Sequence, residues 1–296
     1  MAQVAANGIT LEYEVSGPAQ GVPLLLIHGL GAQLVQWPEP LCAAFAAQGF
    51  RVIRFDNRDV GLSTHFDGMP IPNLHEVIAA QRRGEPPAIP YTIDDMADDA
   101  LGLLSALGIE RAHIFGVSMG GYIAQTIAIK SPARVRSLNL VMTHSANPDL
   151  PPPHPAAIDA LLAVPPDPIK EEAAFLQHAV AMGRAIQGPG YPMDDAALKA
   201  FFLTPARRAF YPIGVGRHAA AAWGALDRRE GLKRLTMPTT VIHGTDDVVV
   251  PLPGGEDVAR HVPGAYLLTI KGMGHDLAPP LFDTFATAAA MNARRA

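Results

Sequence analysis

Ser118 sits in the string Gly116-Val117-Ser118-Met119-Gly120, which matches G-x-S-x-G. The motif works by geometry. A tight strand-to-helix turn pushes the serine side chain into the open, and the first amide of the helix points toward a reacting carbonyl oxygen. Such a turn is crowded, so the positions two before and two after the serine must be nearly free of side chain. The bare string is weak evidence, because seven serines and 27 glycines would produce it by chance roughly 6% of the time. Its surroundings strengthen it. Ala112 to Phe115 reads as a strand directly before, and Met119 to Lys130 as a helix directly after, with Gly121 allowing close helix–strand approach.

A serine hydroxyl is a poor nucleophile at neutral pH. It needs a base within hydrogen-bond reach, and the base needs a group that fixes its tautomer. The chain has 11 histidines, so a lone histidine means little. His275 stands out because it follows a strand pattern, Ala265 to Ile270, within a flexible Gly272-Met273-Gly274 loop. That loop lets a side chain reach back across a site. His261 reads as a helix-end residue, and His28, before Gly29 at a strand end, as loop support. His144, just after a strand, reads either as a pocket border or as an ordinary polar position. Two carboxylates, Asp246 and Asp247, follow the strand Thr239 to His243, and both are candidates for the orienting acid. His75-Glu76 is not H-E-x-x-H, and no cysteine or histidine spacing suggests a metal. No phosphate loop or dinucleotide fingerprint is present, so no cofactor is expected.

The elements that must position these residues follow from hydrophobic periodicity. Ile9 to Val15 alternates in period two and ends at Ser16-Gly17-Pro18. Pro23 to Ile27 is a continuous apolar run, consistent with a strand buried on both faces. Trp37 to Gln48 predicts a helix, Arg51 to Phe55 a strand, and Val135 to Met142 another. Thr92-Ile93-Asp94-Asp95 matches a helix-start capping pattern. After it, Met96, Ala100, Leu103, Leu104 and Leu107 share one face, and Gly108 stops the helix. Strands separated by helical patterns imply an α/β fold with a mostly parallel, doubly wound sheet.

The pattern breaks after Thr143. Residues 144–236 are rich in proline and helical pieces, with no clear strand, and the strand signal resumes at Thr239. A helix from about Gly255 to His261 and a terminal helix from Pro279 complete the chain. The reading is a core of residues 1–143 and 237–296 interrupted by a helical cap, 144–236. Such an insertion lies over the C-terminal strand ends, where open α/β sheets bind ligands. A second irregular segment, Thr64 to Pro90, holds a short helix. The cap carries Phe175, Met182, Met193, Phe201, Phe202, Tyr211 and Trp223. Each packs the cap by default; together they suggest an apolar pocket.

Composition bounds the function. Half the residues are apolar (49%), 17% are charged, and the formal net charge is −5. That balance, without any lysine- or arginine-rich run, argues against a nucleic-acid partner. The N-terminal residues lack the basic and apolar regions of a signal peptide. No apolar stretch is long enough to span a bilayer. The single cysteine, Cys42, sits in an Ala-rich helical pattern and reads as a small core residue. It excludes an internal disulfide and fits a reducing cytoplasm.

The chain resembles the α/β-hydrolase family over nearly its full length. Within that family it is similar to small bacterial esterases of the aclacinomycin-methylesterase kind. The resemblance rests on His28-Gly29-Leu30-Gly31, on Phe55-Asp56-Asn57-Arg58-Asp59-Val60-Gly61-Leu62-Ser63, and on the serine elbow. It rests also on His243-Gly244-Thr245-Asp246-Asp247 and Gly272-Met273-Gly274-His275. It implies the order serine, acid, histidine and a pattern H-G-x-x-D-x-x-V-P. His243 to Pro251 fits that pattern with Asp247 as the acid, leaving Asp246 as a turn residue. It implies an oxyanion site from the backbone amides of Met119 and Leu30, with Gly29 and Gly31 letting that loop approach. The loop is H-G-x-G rather than H-G-G-G, which speaks against bulky tertiary-alcohol esters. Asn57-Arg58-Asp59 is implied to be structural, bracing its turn with Gly61 and Ser63.

The expected function is hydrolysis of small, mainly apolar carboxylic esters through an acyl-enzyme, by Ser118, His275 and Asp247. The same residues suit cofactor-free perhydrolysis, as in the haloperoxidase-like relatives, and lactone or carbon–carbon bond hydrolysis. A small-ligand receptor on the same scaffold is the non-enzymatic alternative, against which the complete Ser–His–Asp set argues. Epoxide hydrolase and haloalkane dehalogenase are disfavoured, because those relatives carry aspartate at the Ser118 position.

Overall fold

Alternation along each strand decides what its two faces bury. In the computed structural model, which describes residues 1–296, Leu25 and Ile27 face one hydrophobic cluster while Leu24 and Leu26 face another. The continuous apolar run thus makes a strand covered on both sides, as a central parallel strand must be. Eight strands form one sheet: β1 (Ala2–Ala6), β2 (Ile9–Ser16), β3 (Val22–Ile27), β4 (Phe50–Phe55), β5 (Ala112–Val117), β6 (Val135–Val141), β7 (Thr239–Gly244) and β8 (Tyr266–Ile270). Their spatial order is β1-β2-β4-β3-β5-β6-β7-β8. β2 runs antiparallel to both β1 and β4, and every pairing from β4 to β8 is parallel.

The helices are α1 (Glu39–Ala47), α2 (Leu74–Arg82), α3 (Ile93–Ala106), α4 (Met119–Lys130), α5 (Pro155–Leu162), α6 (Glu172–Ile186), α7 (Asp195–Arg208), α8 (Pro212–Trp223), α9 (Arg229–Leu232), α10 (Pro253–His261) and α11 (Phe282–Ala293). α3 and α4 cover the Leu25 face, while α1 and α11 cover the Leu24 face. Each buried Leu or Phe in these layers stabilises by about 1.5–3 kcal/mol relative to exposure. α3 starts at the capping box read in the sequence. Thr92 Oγ1 accepts from the Asp95 amide at 3.3 Å, and Asp95 Oδ2 accepts from the Thr92 amide at 2.8 Å.

One expectation needs correction, and one strand went unread. β1 carries no strand signal strong enough to read in Ala-Gln-Val-Ala-Ala; it forms because β2 offers it an antiparallel edge. Trp37 is not helical. It closes a short 3-10 turn, Leu34–Gln36, and α1 begins only after Pro38, since the residue before a proline is steered away from helical backbone. Cys42 lies buried on α1 beside Leu41 and Phe45, and burial pushes its thiol up to about 11. Between β6 and β7 the chain makes α5 to α9 and no strand. No helix is long and apolar enough to cross a membrane.

Candidate active site

β5 and α4 meet at Ser118, and the serine carries the backbone consequence of that meeting. Its φ is 53° and its ψ is −122°, a conformation that costs a non-glycine residue about 1–3 kcal/mol. The surroundings hold it there. The Ser118 amide donates to Val141 O at 2.9 Å, and Ser118 O accepts from the Gly121 amide at 2.8 Å and from Thr143 Oγ1 at 2.9 Å. The flanking glycines are required sterically. A Cβ on Gly116 would strike the Gly120 backbone, one on Gly120 would strike Ile27 and His28, and one on Gly121 would meet the Thr143 side chain. Ser118 stays partly exposed while Val117 and Met119 are buried.

His275 comes from the loop after β8 and reaches Ser118. Its Nε2 lies 2.9 Å from Ser118 Oγ, and its Nδ1 lies 2.8 Å from Asp247 Oδ2. Asp247 comes from the turn after β7. Its other oxygen accepts from the amides of Val249 at 2.9 Å and Val250 at 2.8 Å. With both Asp247 oxygens serving as acceptors, the proton of His275 on that side belongs on Nδ1. Nε2 is then left with a lone pair toward the serine hydroxyl. The Asp247 turn is buried: Ala157 of α5 packs with Val249 and Val250.

Asp246, the competing carboxylate, faces the other way. It accepts from Thr245 Oγ1 at 2.6 Å and from the Gly272 amide at 3.1 Å. It ties the β7 turn to the histidine loop and does not touch the imidazole of His275. His243 is fully buried and its Nε2 donates to Val250 O at 2.7 Å, which shapes the Asp247 turn. Burial lowers its pKa, so it stays neutral.

The two amides expected at an oxyanion site lie on either side of Ser118. Met119 is the first residue of α4, where an amide has no partner within its own helix. On the other side, the loop after β3 packs on the elbow closely enough that a Cβ on Gly29 would stand 3.1 Å from Ser118 Cβ. The next amide, Leu30, donates to no acceptor in the protein. His28 supports this loop, with Nδ1 accepting from the Gly29 amide at 2.8 Å. Burial lowers its pKa to about 4.

Other expected residues serve elsewhere. Arg58 forms a bidentate pair with Asp99 at 2.6 and 2.7 Å, and Asn57 Nδ2 donates to His28 O at 3.3 Å. His261 Nδ1 bonds Asp257 O within its own helix. Tyr211 stacks on His65, with ring centroids 3.9 Å apart, and its hydroxyl donates to Asp67 at 2.7 Å. It thus ties the start of α8 to the loop carrying His65 and Asp67. Phe175 packs edge-on against Phe210, and Phe201 against Phe202.

His144, read as a pocket border or an ordinary polar position, is hydrogen-bonded beside the elbow to Tyr122, and burial lowers its pKa to about 3. The structure adds Tyr122 and Asp276, which no motif announced. Asp276 follows His275 with both carboxylate oxygens buried and no well-aligned donor. Burial raises its pKa to about 6, only partly offset by the nearby Gly188 and Gly274 amides. Segment 186–190 crosses the histidine loop there: the His275 amide donates to Ile186 O at 2.8 Å, and the Gly190 amide to Gly272 O at 2.9 Å. A pattern search keyed on elbow, acid and histidine has no means of finding such contacts, because the partners at Ile186 and Gly190 lie more than 80 positions from the histidine loop in sequence. No group of three or more His, Cys, Asp or Glu side chains is arranged to hold a metal ion.

Residues 22–278 match the family model described as the alpha/beta hydrolase fold. The chain is similar to a rhodomycin D methylesterase of Streptomyces sp. strain C5, at 27% identity over 99% of this chain and 98% of the methylesterase. It is similar to a non-heme chloroperoxidase of Kitasatospora aureofaciens, at 29% identity over 92% of this chain and 90% of that protein. Among solved structures, a meta-cleavage product hydrolase from Pseudomonas fluorescens IP01 superposes with a TM-score of 0.77, covering 99% of this chain and 97% of that one. At 19% sequence identity, that likeness speaks to the fold.

Proposed function

The chain belongs to the α/β-hydrolase fold family, and from that premise we propose that it is a serine hydrolase. Its substrates in this proposal are small, mainly apolar carboxylic esters, cleaved through an acyl-enzyme on Ser118. The observation that carries the reading is the hydrogen-bonded line from Ser118 Oγ through His275 to Asp247, at 2.9 and 2.8 Å.

The chemistry runs in two steps. Ser118 Oγ attacks the ester carbonyl carbon as its proton moves to His275 Nε2, and Asp247 steadies the resulting imidazolium. The carbonyl oxygen takes up negative charge and is met by the amides of Leu30 and Met119. Each such donor is worth about 10²–10³ in rate. The carbon–oxygen bond to the alcohol then breaks, and the alcohol leaves with the proton from Nε2. Water, deprotonated by the same nitrogen, attacks the acyl-enzyme and releases the acid and Ser118.

Two features support an ester as the substrate. A methylesterase is similar to this chain over nearly its full length, and the partly exposed Ser118 hydroxyl is paired with His275 rather than with a charged side chain. The test is turnover of p-nitrophenyl esters of increasing acyl length alongside methyl esters and lactones. Saturable turnover of short to medium esters, lost in Ser118→Ala, is the expected result. Full esterase activity in Ser118→Ala would overturn the proposal.

A further inference from the structure

We propose that His218, on a helix between β6 and β7, is a positioning residue that sets the aim of the Leu30 amide, so that α8 acts as the outer support of the oxyanion site. The inference rests on the serine-hydrolase reading, in which Leu30 donates to the reacting carbonyl.

Three consecutive amides carry the argument. The Gly29 amide donates to His28 Nδ1 at 2.8 Å, and the Gly31 amide donates to His218 Nδ1 at 3.2 Å. The Leu30 amide between them has no acceptor in the protein. Peptide units are planar and rigid, so tying the units on either side leaves Leu30 little freedom to turn. One of the two ties is local. The other reaches across 187 positions of sequence.

His218 is built to accept. It is fully buried, and its Nε2 donates to Arg58 O at 2.7 Å. That bond puts the ring proton on Nε2 and leaves the lone pair on Nδ1 facing Gly31. Burial lowers the pKa to about 4, with the Arg58 and Arg217 charges acting in the same direction and the bond to Arg58 O and the Asp59 charge opposing it, so the ring is neutral at neutral pH.

α8 also presses on the same glycine. Gly31 has φ of 68°, and a Cβ there would lie 2.9 Å from Val215 Cγ2. Val215 and His218 are three residues apart, hence on one helix face. The helix is fixed in turn by Arg217, which bonds Asp59 at 2.7 and 3.0 Å and Met69 O at 2.8 Å. Two residues beyond Gly31, Gln33 Nε2 donates to Pro205 O at 2.8 Å and Ala209 O at 2.7 Å at the end of α7. The oxyanion loop is therefore docked on the helical segment at two successive points.

The test compares wild type, His218→Ala and His218→Gln, reading kcat and KM on an ester the wild type turns over, and affinity for phenylboronic acid. The boronate adduct of a serine mimics the tetrahedral intermediate and uses the oxyanion donors. His218→Ala should lower kcat about 10- to 100-fold, the scale of a small misplacement of a catalytic group. KM should stay within about threefold, and boronate affinity should fall in parallel with kcat. His218→Gln should recover most of both, because its amide can accept from Gly31 and donate to Arg58 O. An alanine variant that keeps wild-type kcat and boronate affinity overturns the inference. So does a glutamine variant as impaired as a folded alanine one. If the alanine variant does not fold, the glutamine variant decides alone: boronate affinity within about threefold of wild type is expected, and a loss beyond about tenfold overturns the inference. A wild type that neither turns over esters nor binds the boronate sinks the serine-hydrolase reading itself, which is a separate outcome.

Discussion

The two sides of the proposed oxyanion site are held by different parts of the chain. The Met119 side is local. A strained serine, three small residues and a bond from Thr143 fix the first turn of α4 directly against the nucleophile. The Leu30 side is remote. Its loop hangs between β3 and a 3-10 turn, and its outer contacts come from α7 and α8, more than 170 positions away. One side is written in a five-residue string. The other depends on a helical segment docking correctly, so the scaffold alone does not complete the site. The contrast teaches that substitutions in the helical segment can change turnover without touching a reacting atom.

The largest break belongs to the local side. Ser118→Ala should lower ester turnover by about 10⁴-fold or more with little change in melting temperature, as read by steady-state kinetics and thermal unfolding. Close behind it, Asp247→Asn should lower kcat by about 10⁴-fold, because an amide no longer fixes the His275 tautomer. Asp246→Asn should cost less than about tenfold, since its bonds go to Thr245 and Gly272 rather than to the imidazole. Equal losses in the two variants would undo the assignment of the acid.

The remote side is tested by stability before activity. Arg217→Met removes one partner of a fully buried pair and leaves Asp59 charged in the interior. Denaturant unfolding should show a loss of about 3–5 kcal/mol, with His218 and the oxyanion loop loosened together. A loss under about 1 kcal/mol would mean that α8 is not anchored there.

How far each side could be read from sequence follows from the same contrast. The elbow, β5, α4 and the α3 capping box rest on contacts between near neighbours, so spacing and residue type expose them. His275 could be read because it follows a strand in a glycine-rich loop, whereas the strand before Asp246 and Asp247 left both open and only the family resemblance singled out Asp247. β1 could not be read, since five residues of weak pattern form a strand only when β2 supplies the edge. Trp37 was drawn into a helix by its neighbours until Pro38 is taken into account. His218, Gln33 and Arg217 carry no local signature at all. Their roles exist only once α7 and α8 lie against the loop after β3, and a lone histidine in an alanine-rich helix looks like any core residue.

A pH-dependent effect concerns the third place where the helical segment meets a loop of the site, at Gly188 and the histidine loop. Asp276 is buried there with its pKa raised to about 6 from an ordinary 3.8. A carboxyl raised in the fold is destabilising when ionised. The penalty is absent below about pH 4, grows between about pH 4 and 6, and is complete above that. Asp276→Asn should therefore match wild type near pH 4 and exceed it by about 2–3 kcal/mol at pH 8, measured by thermal unfolding at both values. A difference that does not vary with pH would mean that the carboxylate is satisfied in the fold.

The most direct test of the serine-hydrolase account is labelling by a fluorophosphonate, followed by mass mapping of the modified peptide. The account predicts one label per chain, on Ser118, with the rate of labelling falling steeply in Asp247→Asn. An unlabelled protein, or a label on any other residue with Ser118 left free, would contradict it.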